Sequence, residues 1–234
     1  MTPTLIAQLS DPHLRLGEPV SQDAFAAAVA RVLTLNPLPA AVLLTGDIAD
    51  AGDPAEHERA LELLGPLPMP IHRLAGNHDR FDGRTRYAAD AGGVRIVACD
   101  TSIPGRDDGS LELDWLAARL VEDRETPTIV AMHHPPLETG LGWLDQIGLP
   151  ADQRAALADL LAATPNVKRV VAGHVHRVIA STLGGCGVVT CASTSTQAGL
   201  DFIARDVVLV DEPPSLLVHA LLDSGELVTH VQPI

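Results

Sequence analysis

Five strand-length apolar runs in this chain end the same way: the last aliphatic residues give way at once to Asp, His or Asn. TLIAQLS runs into Asp11-Pro12-His13, and AAVLLT into Gly46-Asp47-Ile48-Ala49-Asp50. IHRLA runs into Gly76-Asn77-His78-Asp79, TIVAM into His133-His134-Pro135-Pro136, and VKRVVA into Gly173-His174-Val175-His176. Near-continuous Val, Ile and Leu suit strands covered on both faces. The runs predict strands at 4–9, 41–44, 71–74, 94–99, 128–132, 167–172, 188–191, 207–210 and 215–222. Segments of helical period alternate with the early ones. Residues 21–35 put Phe25, Val29 and Leu33 on one face, and 53–64 opens with Asp-Pro-Ala-Glu, a capping box with Pro at the first helical position. Residues 111–122 and 151–163 follow, the last stopped by Pro165. Strand–helix alternation predicts an α/β architecture. After Gly173 the chain reads mostly as strands, which predicts a second sheet or a sheet extension within one domain spanning 1–234.

Composition narrows the class of function. The chain carries 16 Lys+Arg against 30 Asp+Glu, a formal charge of −14, and Lys168 is its only lysine. A polyanion binder needs cations to displace counterions, so long nucleic acid and anionic membrane are excluded as partners. Apolar runs fall short of the ~18–20 residues of a membrane span, and MTPTLIAQLS has neither the basic start nor the long apolar core of a signal peptide. Three Cys without a C-x-x-C pair indicate reduced thiols and a cytoplasmic location.

Taken singly, each polar block has an ordinary structural reading. D-x-H can cap a helix, GD-x-x-D can be a turn, and GNHD suits a turn because Gly and Asn tolerate positive φ. HHPP can be a Pro-rich turn, while His174-x-His176 on a strand would set both rings on one face. The repetition at five strand ends is what structure alone does not explain. In open α/β sheets ligands gather at the carboxyl ends of strands, so the five blocks are expected to converge on one crevice. Asp, His and Asn supply oxygen and nitrogen donors without thiolate, a set suited to Zn, Mn, Fe or Co. Six or seven donors exceed the needs of one tetrahedral ion, so two ions sharing a carboxylate are expected. Such a pair can clamp phosphorus for in-line displacement.

The ordered set D-x-H, GD-x-x-D, GNHD, HHPP and GH-x-H, spread over residues 11–176, resembles the calcineurin-like metallophosphoesterase superfamily. The spacing and the HHPP variant resemble its class III cyclic-nucleotide phosphodiesterase and glycerophosphodiesterase branch. The resemblance implies a four-layer αββα sandwich of two mixed β-sheets flanked by helices. It also implies two divalent or trivalent metal ions (Fe, Mn, Zn or Co), one held by Asp11, His13 and His176 and the other by Asn77, His133 and His174, with Asp47 bridging. His78 is implied as the phosphate-facing catalytic residue, with Asp50 as the partner that orients it. Asn77 is implied to touch substrate, and His134, second of its pair and so not a ligand, is implied either to support the ligands from behind or to face substrate. Asp79 is left open between capping its loop and supporting the site.

The activity so implied is hydrolysis of a small phosphodiester by in-line attack of a metal-bridging hydroxide. The substrates implied are 3′,5′-cyclic nucleotides such as cAMP, with 2′,3′-cyclic nucleotides and glycerophosphodiesters beside them. The alternatives are a phosphatase of monoesters or nucleotides, a nuclease of the same superfamily, and a non-catalytic metal-binding module. Candidate base platforms are few: the aromatics are Phe25, Phe81, Tyr87, Trp115, Trp143 and Phe202. Arg80 and Arg106 are candidate phosphate contacts whose default is solvent. His57 is expected to be solvated, and His72, His219 and His230 to be structural. The apolar segments 215–222 and 227–231 suit either a homodimer interface or extension of a sheet within the chain.

Overall fold

A computed structural model of the chain describes residues 2–80 and 86–234, so Phe81 lies outside the described residues. In chain order the elements are β1 (Thr4–Leu9), α1 (Pro19–Leu33), β2 (Ala41–Thr45), α2 (Pro54–Leu64), β3 (Ile71–Leu74), β4 (Tyr87–Ala91), β5 (Val94–Ala98), α3 (Leu113–Glu122), β6 (Thr128–Ala131), α4 (Gly142–Asp145), α5 (Ala151–Ala162) and β7 (Val167–Ala172). They continue as β8 (Ala180–Leu183), β9 (Cys186–Thr190), β10 (Gln197–Ala198), β11 (Leu209–Val210), β12 (Ser215–Leu221) and β13 (Leu227–Pro233). One sheet runs β13-β12-β1-β2-β3 and the other β4-β5-β6-β7-β9-β8, while β10 and β11 form a separate ribbon. Both large sheets are mixed. Strands β1–β3 are parallel with β12 and β13 antiparallel beside them, and β5, β6, β7 and β9 are parallel with β4 and β8 antiparallel at the edges.

Strand alternation builds four layers. On β1, Leu5, Ala7 and Leu9 meet Phe25, Val29 and Val32 of α1, in a cluster that also takes Ala60 and Leu64 of α2. Ile6, Leu43 and Leu217 point the other way and interdigitate with Ile96, Ile129, Val171 and Val189 of the second sheet. The far face of that sheet carries Val97, Val130, Val170 and Val188 against Leu116 and Leu120 of α3 and Leu157 and Leu161 of α5. The architecture is the expected αββα sandwich. The capping box of α2 is also as expected: Ala55 N donates to Asp53 Oδ1, and Glu56 Oε2 accepts from Asp53 N.

Two strands of the large sheets escape the hydrophobic pattern for one reason. YAADA (β4) and ASTL (β8) are the edges of the second sheet and are largely exposed, so they need no apolar run. The run at 207–210 shortens to Leu209–Val210, which pairs only with β10. The terminal hairpin β12–β13 pairs on β1 of the same chain, which is sheet extension. The three cysteines are free and buried. Among the described residues no helix is long and apolar enough to cross a membrane.

A polar thread crosses the layer between the sheets. Gln8 is fully buried, and its Nε2 donates to Thr45 Oγ1 and to the Ala172 carbonyl, both at 3.0 Å. It thereby ties the ends of β1, β2 and β7, three of the strands that carry polar blocks. Gln8 Oε1 accepts from His219 Nε2 at 3.0 Å, and His219 Nδ1 accepts from Thr229 Oγ1 at 2.9 Å. Burial pushes His219 down to about 3, so it is the satisfied, neutral structural histidine expected of it.

Candidate metal centre

The polar blocks at the ends of β1, β2, β3, β6 and β7 meet in one place. Past its last residue β1 keeps pairing with β2: Asp11 N donates to the Gly46 carbonyl (3.1 Å), His13 N to Asp47 (3.0 Å) and Leu14 N to Ile48 (2.9 Å). From the second sheet, Gly173 N donates to the His133 carbonyl at 3.0 Å. His174 N donates to both oxygens of Asp11, at 3.0 and 3.1 Å. These bonds lock loops from both sheets together.

Backbone angles mark the same residues. Among the described residues the non-glycine positions with positive φ are Asp11 (50°), His13 (44°), Asp47 (49°), His174 (69°) and His176 (47°). A left-handed conformation costs a residue with a Cβ about 1–3 kcal/mol, and the surrounding fold must over-determine it. Strain confined to five residues of one cluster points to a function for that geometry. Gly76 and Asn77 are not among the positive-φ residues, contrary to the turn reading of GNHD. Gly76 serves close approach instead: a Cβ there would overlap Asp47 Oδ1 and the Asp47 backbone nitrogen and stand 2.7 Å from His133 Cε1. Gly173 does the same in its own block, where a Cβ would overlap Ser10 Oγ and stand 2.8 Å from Asp11 Oδ2.

Hydrogen bonds on the outer nitrogens fix which way the imidazoles face. His13 Nδ1 donates to Asp50 Oδ1 (3.2 Å), His133 Nδ1 to the Thr45 carbonyl (2.8 Å) and His176 Nδ1 to the Thr196 carbonyl (2.8 Å). Each ring therefore turns a bare Nε2 inward, the arrangement by which metal-ligating imidazoles are held. His13 Nε2 and His176 Nε2 lie 3.0 Å apart. Asp47 Oδ2 stands 3.5 Å from His13 Nε2, and Asp11 Oδ1 stands 3.8 Å from His176 Nε2. These four residues present ligand atoms within 4.8 Å of one another. On the other side Asp47 Oδ2 is 3.4 Å from His133 Nε2. Asn77 Oδ1 is 3.0 Å from both His133 Nε2 and His174 Nδ1. Asp47 thus lies between two sets of donors, with its Oδ1 fixed by His78 N at 2.9 Å.

The residues fit metal. Lone pairs of His13, His176, Asp11 and Asp47 face each other with no proton to share between the two imidazoles, and His174 Nε2 is buried with no hydrogen-bond partner. Burial alone would lower His133, but the carboxylates of Asp47 and Asp11 and the bonds to Asp47 and Thr45 pull it up to about 9. A pocket that draws a proton onto a buried imidazole has a negative potential that a cation would satisfy.

The remaining candidates fall differently. His78 stacks edge-to-face on His13 with centroids 4.7 Å apart, and its Nδ1 donates to the backbone carbonyl of Asp50 at 2.7 Å. The Asp50 carboxylate is not the partner of His78. It is taken by His13 and by Arg15, whose Nε lies 2.7 Å from Oδ2, and these bonds hold it well below the usual carboxylate range. Of its two expected places His134 takes the one behind the ligand candidates, its ring 4.9 Å from that of His133 and 4.5 Å from that of His174, and not the one facing substrate. It is fully buried, its Nδ1 meets Thr101 Oγ1 at 2.9 Å and its Nε2 donates to the Asp107 carbonyl at 3.1 Å. Burial, then the neighbouring His133, push it down to about 3, a neutral ring closed at both ends, although its position would also allow a metal beside His133 and His174. Asp79 clamps the loops: it accepts from Ile48, Ala49 and Gly76 backbone nitrogens at 2.9–3.2 Å. His57 is buried behind it, its Nε2 3.5 Å from Asp79 Oδ1, rather than solvated. Arg106 is spent on Asp108, and Arg80 is exposed.

Sequence reasoning missed Arg15, Thr101, Ser193 and Thr196. Ser193 Oγ donates to the Asp11 carbonyl at 2.7 Å, but no spacing rule links residue 193 to residue 11. Arg15 lies two residues past the D-x-H block on an exposed loop, where a solvated arginine is the ordinary reading.

Comparison with known proteins identifies the family. A family model described as calcineurin-like phosphoesterase matches residues 4–178. A probable glycerophosphodiester phosphodiesterase, GpdQ, of Arcobacter nitrofigilis is 29% identical, covering 97% of this chain and 92% of its own. The 3′,5′-cyclic adenosine monophosphate phosphodiesterase CpdA of Pseudomonas aeruginosa is 33% identical over 82% of this chain and 77% of its own. Among solved structures, a dimetal phosphatase from Danio rerio superimposes with a TM-score of 0.72 at 16% identity, covering 99% of this chain and 100% of that one, a likeness of fold.

Proposed function

Because the chain belongs to the calcineurin-like phosphoesterase family, we propose that it is a metal-dependent phosphodiesterase acting on small diesters, cyclic nucleotides or glycerophosphodiesters. The observation that carries this reading is the convergence of inward-facing His13, His133 and His176 nitrogens on the carboxylates of Asp11 and Asp47. Similarity to relatives named as cyclic-nucleotide and glycerophosphodiester phosphodiesterases supports the substrate class. Asp11, His13, Asp47 and His176 would hold one ion, and Asp47, Asn77, His133 and His174 a second. The nitrogen and oxygen donors accept Fe, Mn, Zn or Co. Contributions from residue 11 through residue 196 support one catalytic unit over 1–234. Free, buried thiols are consistent with a cytoplasmic enzyme.

When bound, the ions supply positive charge on the phosphate oxygens and a water of lowered pKa. The chain's own groups do the rest. Asp47 holds the two sets of donors in register, and its Oδ1 fixes the His78 backbone. His78 is anchored through Nδ1 on the Asp50 carbonyl, which leaves Nε2, when protonated, to hand its proton to the departing alkoxide. Asp50 therefore works twice, by its carbonyl on His78 and by its carboxylate on His13. Asp50→Asn should keep the carbonyl and weaken the grip on His13. Metal affinity, titrated calorimetrically into stripped protein, should fall about 10–100-fold, and an unchanged affinity would remove Asp50 from the support of His13.

The test of the whole reading starts from protein of known metal content. Bis(p-nitrophenyl) phosphate should be hydrolysed faster than p-nitrophenyl phosphate, chelation should abolish turnover, and returning Mn, Zn or Fe should restore it. Turnover indifferent to chelation, or a preference for the monoester, would overturn it.

A further inference from the structure

Above the Asp/His/Asn cluster lies a cleft of 630 Å³, within the range of small-molecule sites. Its floor is polar, but one side is not. Trp143 and Leu144 of α4 pack with Val175 and Ala198 in a small cluster of their own, and they line the cleft together with Val207 and Leu209. Val207 and Leu209 are 63% and 53% exposed, large aliphatic side chains left in water at the mouth of a site. The charges on the cleft are one-sided. Arg15 is the single cation among the described lining residues, and its guanidinium is engaged by Asp50 at 2.7 Å and Glu18 at 3.5 Å. Glu18 and Asp107 add negative charge to the same walls.

Resting on the diesterase reading above, we propose that this cleft selects a singly charged diester bearing an uncharged aromatic ring system, such as a nucleobase, laid against the Trp143–Leu144–Val207–Leu209 wall. The single phosphate charge belongs at the cluster, so only the ester groups can reach the wall. A hydroxylated glycerol group would give up water there with only the buried Trp143 Nε1 as a polar side-chain group in that wall, whereas a flat ring buries apolar surface against Leu144, Val207 and Leu209 beside the largely buried indole. A second phosphate on the substrate would meet Glu18 and Asp107 with no unengaged cation among the described lining residues to receive it. Trp143, Val207 and Leu209 are thus specificity-determining residues for the ester group, and none of them touches the reacting phosphorus.

The experiment uses the full-length, metal-loaded enzyme and measures kcat and KM for cAMP, bis(p-nitrophenyl) phosphate and glycerophosphocholine in wild type, Leu209→Asp and Trp143→Leu. Wild type should favour the two aromatic diesters over glycerophosphocholine by about tenfold or more in kcat/KM. Both variants should shrink that preference, chiefly through a raised KM for the aromatic substrates. Leu209 is exposed, so its variant should fold even if Trp143→Leu does not, and urea midpoints will show which is folded. Glycerophosphocholine equal to or better than the aromatic diesters in wild type, or a preference unchanged in folded Leu209→Asp, overturns the inference while leaving the diesterase reading intact. No turnover of any diester by the metal-loaded enzyme overturns that reading, and this inference with it.

Discussion

Asp47→Ala should cut metal-supported diester turnover by about 10³-fold or more. The side chain is nearly closed to water, and its Oδ2 stands 3.5 Å from His13 Nε2 and 3.4 Å from His133 Nε2, so it is the point at which the two donor sets touch. Its Oδ1 also holds the backbone of His78. Removal would take away the carboxylate proposed to be shared, the negative charge that would balance two cations, and the anchor of His78, the residue proposed to face the leaving group. None of the remaining donors can substitute, because Asp11 is committed to the His174 backbone and lies toward His176. The loss should appear in kcat at saturating substrate, with metal content per chain falling from two toward one or none. A variant that keeps two ions and wild-type kcat would mean that Asp47 is not the bridge.

The second large effect should come from a single methyl group. Gly76→Ala puts a Cβ into space already held by Asp47 Oδ1 and the Asp47 backbone nitrogen, and 2.7 Å from His133 Cε1. Two of these obstacles are parts of the cluster, and the third is main chain that Asp79 clamps through Ile48, Ala49 and Gly76. No flexible side-chain end is available to yield. Overpacking of this kind costs about 1–3 kcal/mol of stability, and displacement of the Asp47 loop should lower metal-supported turnover about 10²-fold. Urea denaturation of the stripped protein reads the first quantity and steady-state kinetics of the loaded protein the second. Wild-type values for both would show that the β2 and β3 loops do not need that close approach.

The chain reveals its central architecture because central strands and metal donors both leave local marks. A strand buried on both faces must be apolar at nearly every position, so β1 and β2 could be bounded to within a residue from the sequence. The α2 capping box is equally local, since its bonds join residues two and three apart. The polar blocks stand out for the same reason: an Asp or His immediately after a buried run has no hydrophobic explanation, and five such ends are hard to account for without a ligand.

What escaped depends on neighbours distant in the chain. Edge strands β4 and β8 have exposed faces and so no hydrophobic signature. The resemblance assigned Asp50 to His78, but its carboxylate goes to His13 because the paired β1 and β2 loops bring residue 13 alongside residue 50. His134 is sealed by Thr101 and the Asp107 carbonyl, contributed by a loop some thirty residues earlier. The apolar wall is assembled from α4 and the stretch approaching β11, segments more than sixty positions apart. The sequence by itself determined the strand–helix alternation of an α/β chain and the set of donor blocks, because burial and ligand chemistry are properties of single residues, while the four-layer αββα arrangement came from the resemblance. The tertiary structure decided which nitrogen faces inward, which carboxylate supports which ring, and that five donors sit in left-handed backbone, because those depend on through-space partners and on dihedral angles that only the assembled sheets impose.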